Sequence, residues 1–384
     1  MRTVPLAILL FACCLRLPAP LIPSPKLAKR VDSSGIIVVA SVASGTSFAS
    51  GDRILSDLVL HIDRVLKGDA TPGSEIGAHL AGRGYFMAAD AKPRKVTETI
   101  YGIWFLNPDT GVYSVVSPDG DYGELFAAPV LLPEDAPPGK PGATAAESVL
   151  NEIMSGLQWL AAQEEKAGSL PLAQIRSLDE ALRTLDASTT HGAFQQLAQD
   201  SSAALRVLGI RELIEANDPE GVILASAHWG ELSSSLWVQP IIVGALMGYS
   251  NDTDRDAVRA LGSLALRESA MPQLRQNSSY ALRAIHTKDA VPALAALLET
   301  KDERVRINAL SGLCLFVRNA PTVTPQAVVS MAWMQSRKPA PLLNSETQTH
   351  CVLGGTPGNT GDLEPYVSFW RAWWREHQSE IERN

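Results

Sequence analysis

One short phrase occurs twice in this chain, and its spacing constrains the fold more than any other feature. The letters DAVRAL at residues 256–261 return 33 residues later as DAVPAL at residues 289–294. Each copy is followed by a second apolar-periodic segment, which carries Arg275 after the first copy and Arg306 after the second. This period is typical of stacked helix pairs, because a single pair cannot bury its own apolar face. The sequence therefore predicts a short helical solenoid over residues 190–320.

The second helix of each predicted pair carries matching residues. The aligned positions are separated by 33, 36 and 31 residues, and small residues follow three positions later in three of the helices. Small side chains at such positions let neighbouring helices approach closely. The aligned residues are Arg206, Gln239, Arg275 and Arg306, and the small residues are Gly209, Ser278 and Ala309.

The Asp-rich turns followed by Val-Arg or Leu-Arg resemble the HEAT-like repeats also found in bilin lyases, most clearly over residues 253–318. The resemblance implies a solenoid with an extended binding surface, whereas lyase activity would rest on fold analogy alone. The aligned arginines have two interpretations. They form either a basic stripe for an acidic partner or an internal ladder with an Asp of the adjoining turn. The ladder is favoured because it is usual in this repeat class.

Residues 35–116 alternate apolar and polar side chains with the period of two that is typical of β-strands. A fourth segment at residues 100–106 continues through the turn at 107–111 into a fifth segment at 112–116. About five short strands of this kind predict a small antiparallel barrel. The apolar residues that share one face are Ile36, Val38, Ala40 and Val42, then Leu58, Leu60 and Ile62, and then Ile76, Ala78 and Leu80.

The order of these segments resembles the OB-type barrel of netrin-like and metalloproteinase-inhibitor-like modules. The likeness covers roughly 90 residues and includes RVLKG at residues 64–68 and YGIWF at residues 101–105. Inhibitors of that family chelate the zinc of their target through an N-terminal cysteine. Residues 31–128 contain no cysteine, so the resemblance does not extend to the inhibitory chemistry.

Residues 129–142 carry five prolines and two glycines, which predicts a semi-extended linker between the strand-like and helical regions. The predicted organisation is a signal peptide with the mature N-terminal tail at 1–30, an OB-like β-barrel at 31–128, this linker, and a HEAT-like helical repeat domain with a C-terminal capping helix at 143–384. The predicted fold class is therefore α+β and multidomain.

A last helix is predicted at residues 363–382, and its apolar face must be covered. Either the helix docks on the final repeat as a cap, or the face is an exposed docking strip for a partner. The cap is favoured because terminal repeats need caps. The residues on this face are Tyr366, Val367, Phe369, Trp370, Trp373, Trp374, His377 and Ile381.

The first residues predict export to the periplasm, the cell envelope or the extracellular space. Arg2 precedes an apolar run at residues 4–15 that is too short to span a bilayer, as is typical of a signal peptide. Within it, LFAC at residues 10–13 resembles the bacterial lipoprotein cleavage box, although Phe11 is bulkier than the usual residue. The alternatives are lipid attachment at Cys13, as the one predicted membrane contact, or ordinary cleavage further along.

Cys314 and Cys351 are the only cysteines outside the signal region. In an exported protein such a pair predicts a disulfide. The alternative makes Cys314 a small buried hydrophobe within the apolar residues 310–317. We adopt the disulfide as the prediction to be tested.

Charge and motif content exclude several functions. Residues 1–30 hold five of the 33 Lys and Arg and none of the 41 Asp and Glu, so the remainder has a net charge of −13. Such an acidic surface repels phosphate backbones, which argues against nucleic-acid binding. The sequence contains no HExxH pair, no nucleophile elbow and no CxxC motif. We therefore predict no catalytic, cofactor-binding or metal-ligating residue, and the sequence does not define the binding residues.

The sequence thus predicts an exported, non-catalytic interaction or scaffold protein whose HEAT-like surface binds a protein partner. The alternative is an enzyme, or an inhibitor-like regulator of an enzyme, with its site in the N-terminal barrel. A polar cleft on the barrel where two or more carboxylates or histidines converge would favour that alternative.

Overall fold

The computed structural model divides the chain into two compact units. The first comprises Met1–Gly156 with Ala173–Asp186, and the second comprises Leu157–Leu172 with Ala187–Asn384. The structure describes residues 27–50, 53–82, 94–95, 100–108, 113–115, 129–167, 171–232, 238–267, 271–285, 287, 289–313 and 364–383. Among the helices of these ranges, none is long and apolar enough to cross a membrane.

A mostly antiparallel sheet forms the first unit together with helix α1 (Leu27–Ser33), the first part of α2 (Ala145–Ala167) and most of α3 (Leu172–Arg183). The strands are β1 (Ile36–Ser50), β2 (Arg53–Lys67), β3 (Glu75–Gly82), β4 (Arg94–Lys95), β5 (Tyr101–Pro108), β6 (Tyr113–Val115) and β7 (Val130–Leu131). Their order is β4-β1-β2-β3-β6-β5-β7, and β1 also pairs with β5. Only the β3–β6 pair of this described sheet is parallel. Sheet and helices together confirm the α+β class.

One face of the sheet is a continuous apolar core, and the period-two prediction is confirmed for its residues. The indole Nε1 of Trp104 donates a hydrogen bond to the carbonyl oxygen of Ala40 at 3.1 Å, so this fully buried side chain leaves no polar atom unsatisfied. The buried members are Ile36, Val38, Ala40, Leu58, Leu60, Ile62, Ala78, Trp104 and Leu106, and Val42, Ile76 and Leu80 pack against them.

The short helix α1 belongs to the first unit. Leu27 and Val31 are buried, and the guanidinium of Arg30 lies 4.3 Å from the ring centroid of Phe105 on β5. Burial lowers the pKa of Arg30 to about 10, so the group remains charged at neutral pH. Lys67 Nζ donates to the carbonyl oxygen of Val31 at 2.8 Å. Residues 27–30, which lie within the segment predicted to be the mature N-terminal tail, are therefore packed in the first unit.

The proline-rich segment 129–142 is docked along α2 and is not a free spacer, which corrects the sequence-based expectation. Asn151 Nδ2 donates to the carbonyl oxygen of Lys140 at 2.8 Å, and Ser155 Oγ donates to that of Pro137 at 2.6 Å. A Cβ on Gly139 would lie 2.5 Å from the backbone of Asn151. Proline removes amide donors but keeps every carbonyl, and here α2 supplies the donors for those carbonyls.

A buried ion pair joins β2 to α2 within the first unit. Arg64 donates two hydrogen bonds to Glu152, from Nε at 2.9 Å and from Nη2 at 2.8 Å. The Glu152 side chain is only 3% exposed. Burial lowers the pKa of Arg64, but the hydrogen bonds and charge of Glu152 outweigh it and the pKa is raised. The unit boundary falls after Gly156, whereas the sequence placed the division at 129–142.

Helices make up the described part of the second unit. They are α4 (Ala187–Ala198), α5 (Ala203–Glu215), α6 (Pro219–Leu232), α7 (Val238–Leu246), α8 (Arg255–Leu266), α9 (Pro272–Arg283), α10 (Ala290–Leu297), α11 (Glu303–Leu313) and α12 (Glu364–Arg383). Contacts run from α5 to α7, α9 and α11 in turn, and from α6 to α8 and α10 in turn. We call α5, α7, α9 and α11 the second helices, because they are the second members of the predicted pairs. We call α6, α8 and α10 the first helices.

The repeated phrase marks the starts of α8 and α10. Asp254 caps α8 by accepting a hydrogen bond from the backbone N–H of Ala257 at 2.9 Å, and Asp302 likewise accepts from Arg304 before α11.

The small residues predicted on the second helices lie in the interior. Gly209 meets the backbone of α4 so closely that a Cβ would overlap it, and Ser278 and Ala309 are fully buried.

We predict that Leu294→Ala and Leu313→Ala each lower the free energy of unfolding by about 2–5 kcal/mol, because both leucines are fully buried. Urea unfolding of the full chain measures this. Leu266→Ala is the matched control, since Leu266 is 41% exposed, and it should change stability by less than about 0.5 kcal/mol. Equal losses for buried and exposed leucines would contradict the assigned core.

We predict that Glu152→Gln lowers the free energy of unfolding by about 3–5 kcal/mol, because it leaves the charge of Arg64 without its buried partner. The double variant Arg64→Met with Glu152→Leu should recover most of this loss, since it removes both charges together. Thermal and urea unfolding of both variants measure the difference. If the single variant is as stable as the wild type, the pair does not hold α2 to the sheet.

Candidate functional site

The aligned arginines of the second helices are engaged inside the second unit. Arg275 Nη2 lies 3.5 Å from Asp302 Oδ2 in the adjoining turn, as the ladder interpretation predicted. Arg206 donates to the carbonyl oxygen of Asp200 at 3.0 Å and pairs with Glu231. The remaining arginine, at position 306, pairs with the first residue of α12. These arginines therefore do not form a free basic stripe.

Helix α12 caps the described helices, as predicted. It contacts α10 and α11, and Val367 and Trp370 are fully buried. Arg371 fastens it by donating from Nη2 to the carbonyl oxygen of Leu298 at 2.8 Å and by pairing with Glu299 at 2.8 Å. Its bounds agree with the predicted 363–382 within one residue at each end.

Further along α12 the aromatic face is only partly covered. Trp373 and His377 are partly exposed and stack on each other, with ring centroids 4.7 Å apart and planes 17° apart. The Nδ1 of His377 also lies 2.8 Å from the carbonyl oxygen of Trp373. The cap therefore uses the first half of this face, and the second half stays in contact with solvent.

Two asparagines that sequence reasoning missed link neighbouring second helices. Asn277 Nδ2 on α9 donates to the carbonyl oxygen of Val243 on α7 at 2.7 Å. Asn308 Nδ2 on α11 donates to Gln276 O at 3.2 Å and to Ser279 Oγ at 2.9 Å, both on α9. Each asparagine stands two positions after an aligned arginine, so the recurring Arg-x-Asn was the signal available in the sequence.

Two other arginines on the surface of α9 and α11, Arg283 and Arg304, contact neutral side chains and not carboxylates among the described residues. The guanidinium of Arg283 lies 4.2 Å from the ring centroid of Tyr280. Burial lowers the pKa of Arg283, and Tyr280 offsets part of that effect. Arg304 donates from Nη1 to Gln276 Oε1 at 3.4 Å. We name Arg304, Gln276, Tyr280 and Arg283 the arginine strip.

Neither arginine of the strip pairs with a carboxylate in the described part of the chain. Its neighbours do: Arg255 pairs with Asp289 at 3.0 Å and Arg259 with Asp256 at 3.2 Å. Asp302 lies near the strip, but its oxygens are occupied by Arg275, Gln276 and backbone N–H groups. The strip therefore exposes positive charge that the helices do not neutralise.

A second group of polar residues lies on the other face of β2 and β3 in the first unit. His79 Nδ1 lies 2.5 Å from Asp57 Oδ1, and both side chains are half-exposed. His61 Nε2 lies 4.0 Å from Asp63 Oδ1 further along β2. Ser114 of β6 occupies the register position beside His79. These residues form two separate histidine–carboxylate pairs on an open surface.

Within the ranges that the structure describes, no group of three or more His, Cys, Asp or Glu is arranged to hold a metal ion. Cys13, Cys314 and Cys351 lie outside the described residues, so lipid attachment and the disulfide stay predictions. Peptide mapping under non-reducing conditions tests the disulfide.

We predict that Asn308→Ala lowers the free energy of unfolding by about 1–3 kcal/mol, because it removes both hydrogen bonds that the buried Asn308 carboxamide donates from α11 to α9. Ser263→Ala, on the exposed face of α8, is the control and should be within about 0.5 kcal/mol of wild type. Urea unfolding measures the stability of both variants. An unchanged unfolding midpoint for Asn308→Ala would show that Asn308 does not link α11 to α9.

Comparison with protein-family models, with curated proteins and with solved structures finds no match to this chain.

Proposed function

We propose that this chain is an exported, non-catalytic interaction protein, in which a HEAT-like solenoid formed by the second unit presents its surface to a protein partner. The observation that carries the proposal is the contact pattern of two helix rows, α5-α7-α9-α11 and α6-α8-α10. Stacked rows expose one long face per row, and such faces serve binding in repeat proteins.

The first unit supports a barrel of the OB type. Pairings run from β1 to β2, β3, β6 and β5 and then return to β1, which is the connectivity a closed five-stranded barrel requires. Register shifts in β1 after Ile37, Val39 and Val42 mark bulges, which bend a strand so that it can pair on both sides. The proposed barrel is an accessory to the binding surface.

The state of the charges favours binding over catalysis in the second unit. Arg206 and Arg275 pair with carboxylates of the second unit, which suits a structural role. Arg283 and Arg304 remain available on the surface of the second helices. Tyr and Arg are the side chains most enriched at the energetic centres of protein interfaces.

Affinity capture from a cell-envelope extract tests the proposed function, with the full chain as bait. Gln273 on α9 and Arg304 on α11 are both exposed. We expect retention of a defined protein partner, which the double variant Gln273→Glu with Arg304→Glu should lose because it makes the surface of the second helices more negative. Arg259→Glu with Ser263→Glu, on the first-helix row, is the matched control and should retain the partner. Loss of the partner in both variants, or in neither, would contradict binding through the second helices.

We predict that the mature N-terminus lies before Leu27, because Leu27, Arg30 and Val31 are buried in the first unit. Fractionation should place the product outside the cytoplasm, and mass spectrometry of its N-terminal peptide should show either a lipid on Cys13 or cleavage between that residue and Leu27. A cytoplasmic product that keeps Met1 would end the export proposal.

A second candidate function rests on the pair formed by His79 and Asp57. A carboxylate at Nδ1 holds the imidazole so that Nε2 can act as a general base. This candidate predicts hydrolysis of p-nitrophenyl acetate that His79→Gln abolishes and His61→Gln does not. Equal hydrolysis rates for the wild type and both variants would rule out this candidate function.

A further inference from the structure

The arginine strip lies along the side of one helix and crosses to the next. Gln276 and Tyr280 are four residues apart on α9 and therefore share a face. Arg304 of α11 reaches Gln276, and Arg283 at the end of α9 stacks on Tyr280. The strip thus has a cation near each end and two neutral hydrogen-bonding side chains between them.

The charge of the strip contrasts with the charge of the chain. Beyond residue 30 the net charge is −13, from 28 Lys and Arg against 41 Asp and Glu. Of the other arginines on α8 to α11, Arg255, Arg259, Arg275 and Arg306 already have carboxylate partners among the described residues. Two uncompensated cations on such a surface fit an anionic ligand.

Partial burial favours the binding of a carboxylate to Arg283. Arg283 has lost part of its hydration, which is why its pKa is lowered, and no carboxylate in the described residues compensates for that loss. A carboxylate that docks on Arg283 would restore the missing charge interaction. Guanidinium groups suit this role because they bind carboxylates through two parallel hydrogen bonds.

The length of the strip limits the ligand. Seven residues of helix separate Gln276 from Arg283, which corresponds to about 10 Å at the helical rise. An extended peptide covers that distance in about three residues. Gln276 and Tyr280 lie between the two cations and position them, because Gln276 accepts a hydrogen bond from Arg304 and Tyr280 stacks on Arg283.

We infer that the arginine strip docks an extended acidic segment of a protein partner, with two Asp or Glu carboxylates three or four residues apart engaging Arg283 and Arg304. This inference rests on the proposed function and names the chemistry of its partner. Nucleic acid is the alternative occupant, and the displacement test below distinguishes it from an acidic peptide.

Fluorescence anisotropy with the full chain and fluorescein-labelled octaglutamate tests the docking. At about 50 mM salt, where charge interactions are weakly screened, we expect binding that weakens as salt rises. Arg283→Gln with Arg304→Gln should weaken it at least about tenfold. Arg259→Gln is the matched control, since Arg259 is exposed and already paired, and should leave binding unchanged. Circular dichroism of each variant verifies that the fold is intact.

Two Gly-Ser peptides test the spacing, one with its two glutamates four positions apart and the other with them adjacent. The spaced peptide should bind more tightly to the wild type, and the two should bind alike to the double variant. The inference is overturned if octaglutamate does not bind, if the double variant binds it as the wild type does, or if oligothymidylate of equal charge displaces it from the strip. If the double variant still captures the envelope partner, this inference fails while the proposed function stands.

Discussion

Neighbouring helices of the second unit lie so close together that a side chain at several glycine positions would force a neighbouring residue to move. A Cβ on Gly262 would lie 2.8 Å from the Ala293 side chain, and one on Gly312 would lie 2.8 Å from that of Leu294. Close approach excludes water and brings backbone carbonyls within reach of the carboxamides of Asn277 and Asn308. These two carboxamides therefore link neighbouring second helices through the interior, without using the charged residues of the outer faces.

The parts of the fold that were predictable are those that a local pattern determines. Period-two alternation identified the residues of β1, β2 and β3 that form the core cluster, since side chains of a strand alternate between its two faces. It did not predict that Ile37 and Val39, on the other face of β1, are also fully buried. The repeated phrase located α8 and α10. The wheel of α12 identified eight residues on its apolar face, of which Val367 and Trp370 are fully buried whereas Trp373 and His377 are partly exposed. In these segments the spacing of apolar residues indicates a buried face, but not how far that face extends.

The parts that were not predictable depend on contacts between distant residues. Arg64 and Glu152 are 88 positions apart, and neither has a local feature that indicates burial. The composition of segment 129–142 shows that it cannot form a helix, but not that Asn151 and Ser155 supply donors for its carbonyls. In the candidate site, an Asp-rich turn indicated a partner for Arg275, whereas no local sequence feature marked Arg283 as unpaired.

The distinction between paired and unpaired arginines decides where a partner gains free energy. A ligand carboxylate at Arg275 would have to displace Asp302, so one ion pair would replace another with little net gain. At Arg283 nothing is displaced, and the partial burial that weakens its hydration strengthens any carboxylate contact that forms. The same acidic segment would therefore favour Arg283 over Arg275, even though both guanidinium groups belong to α9.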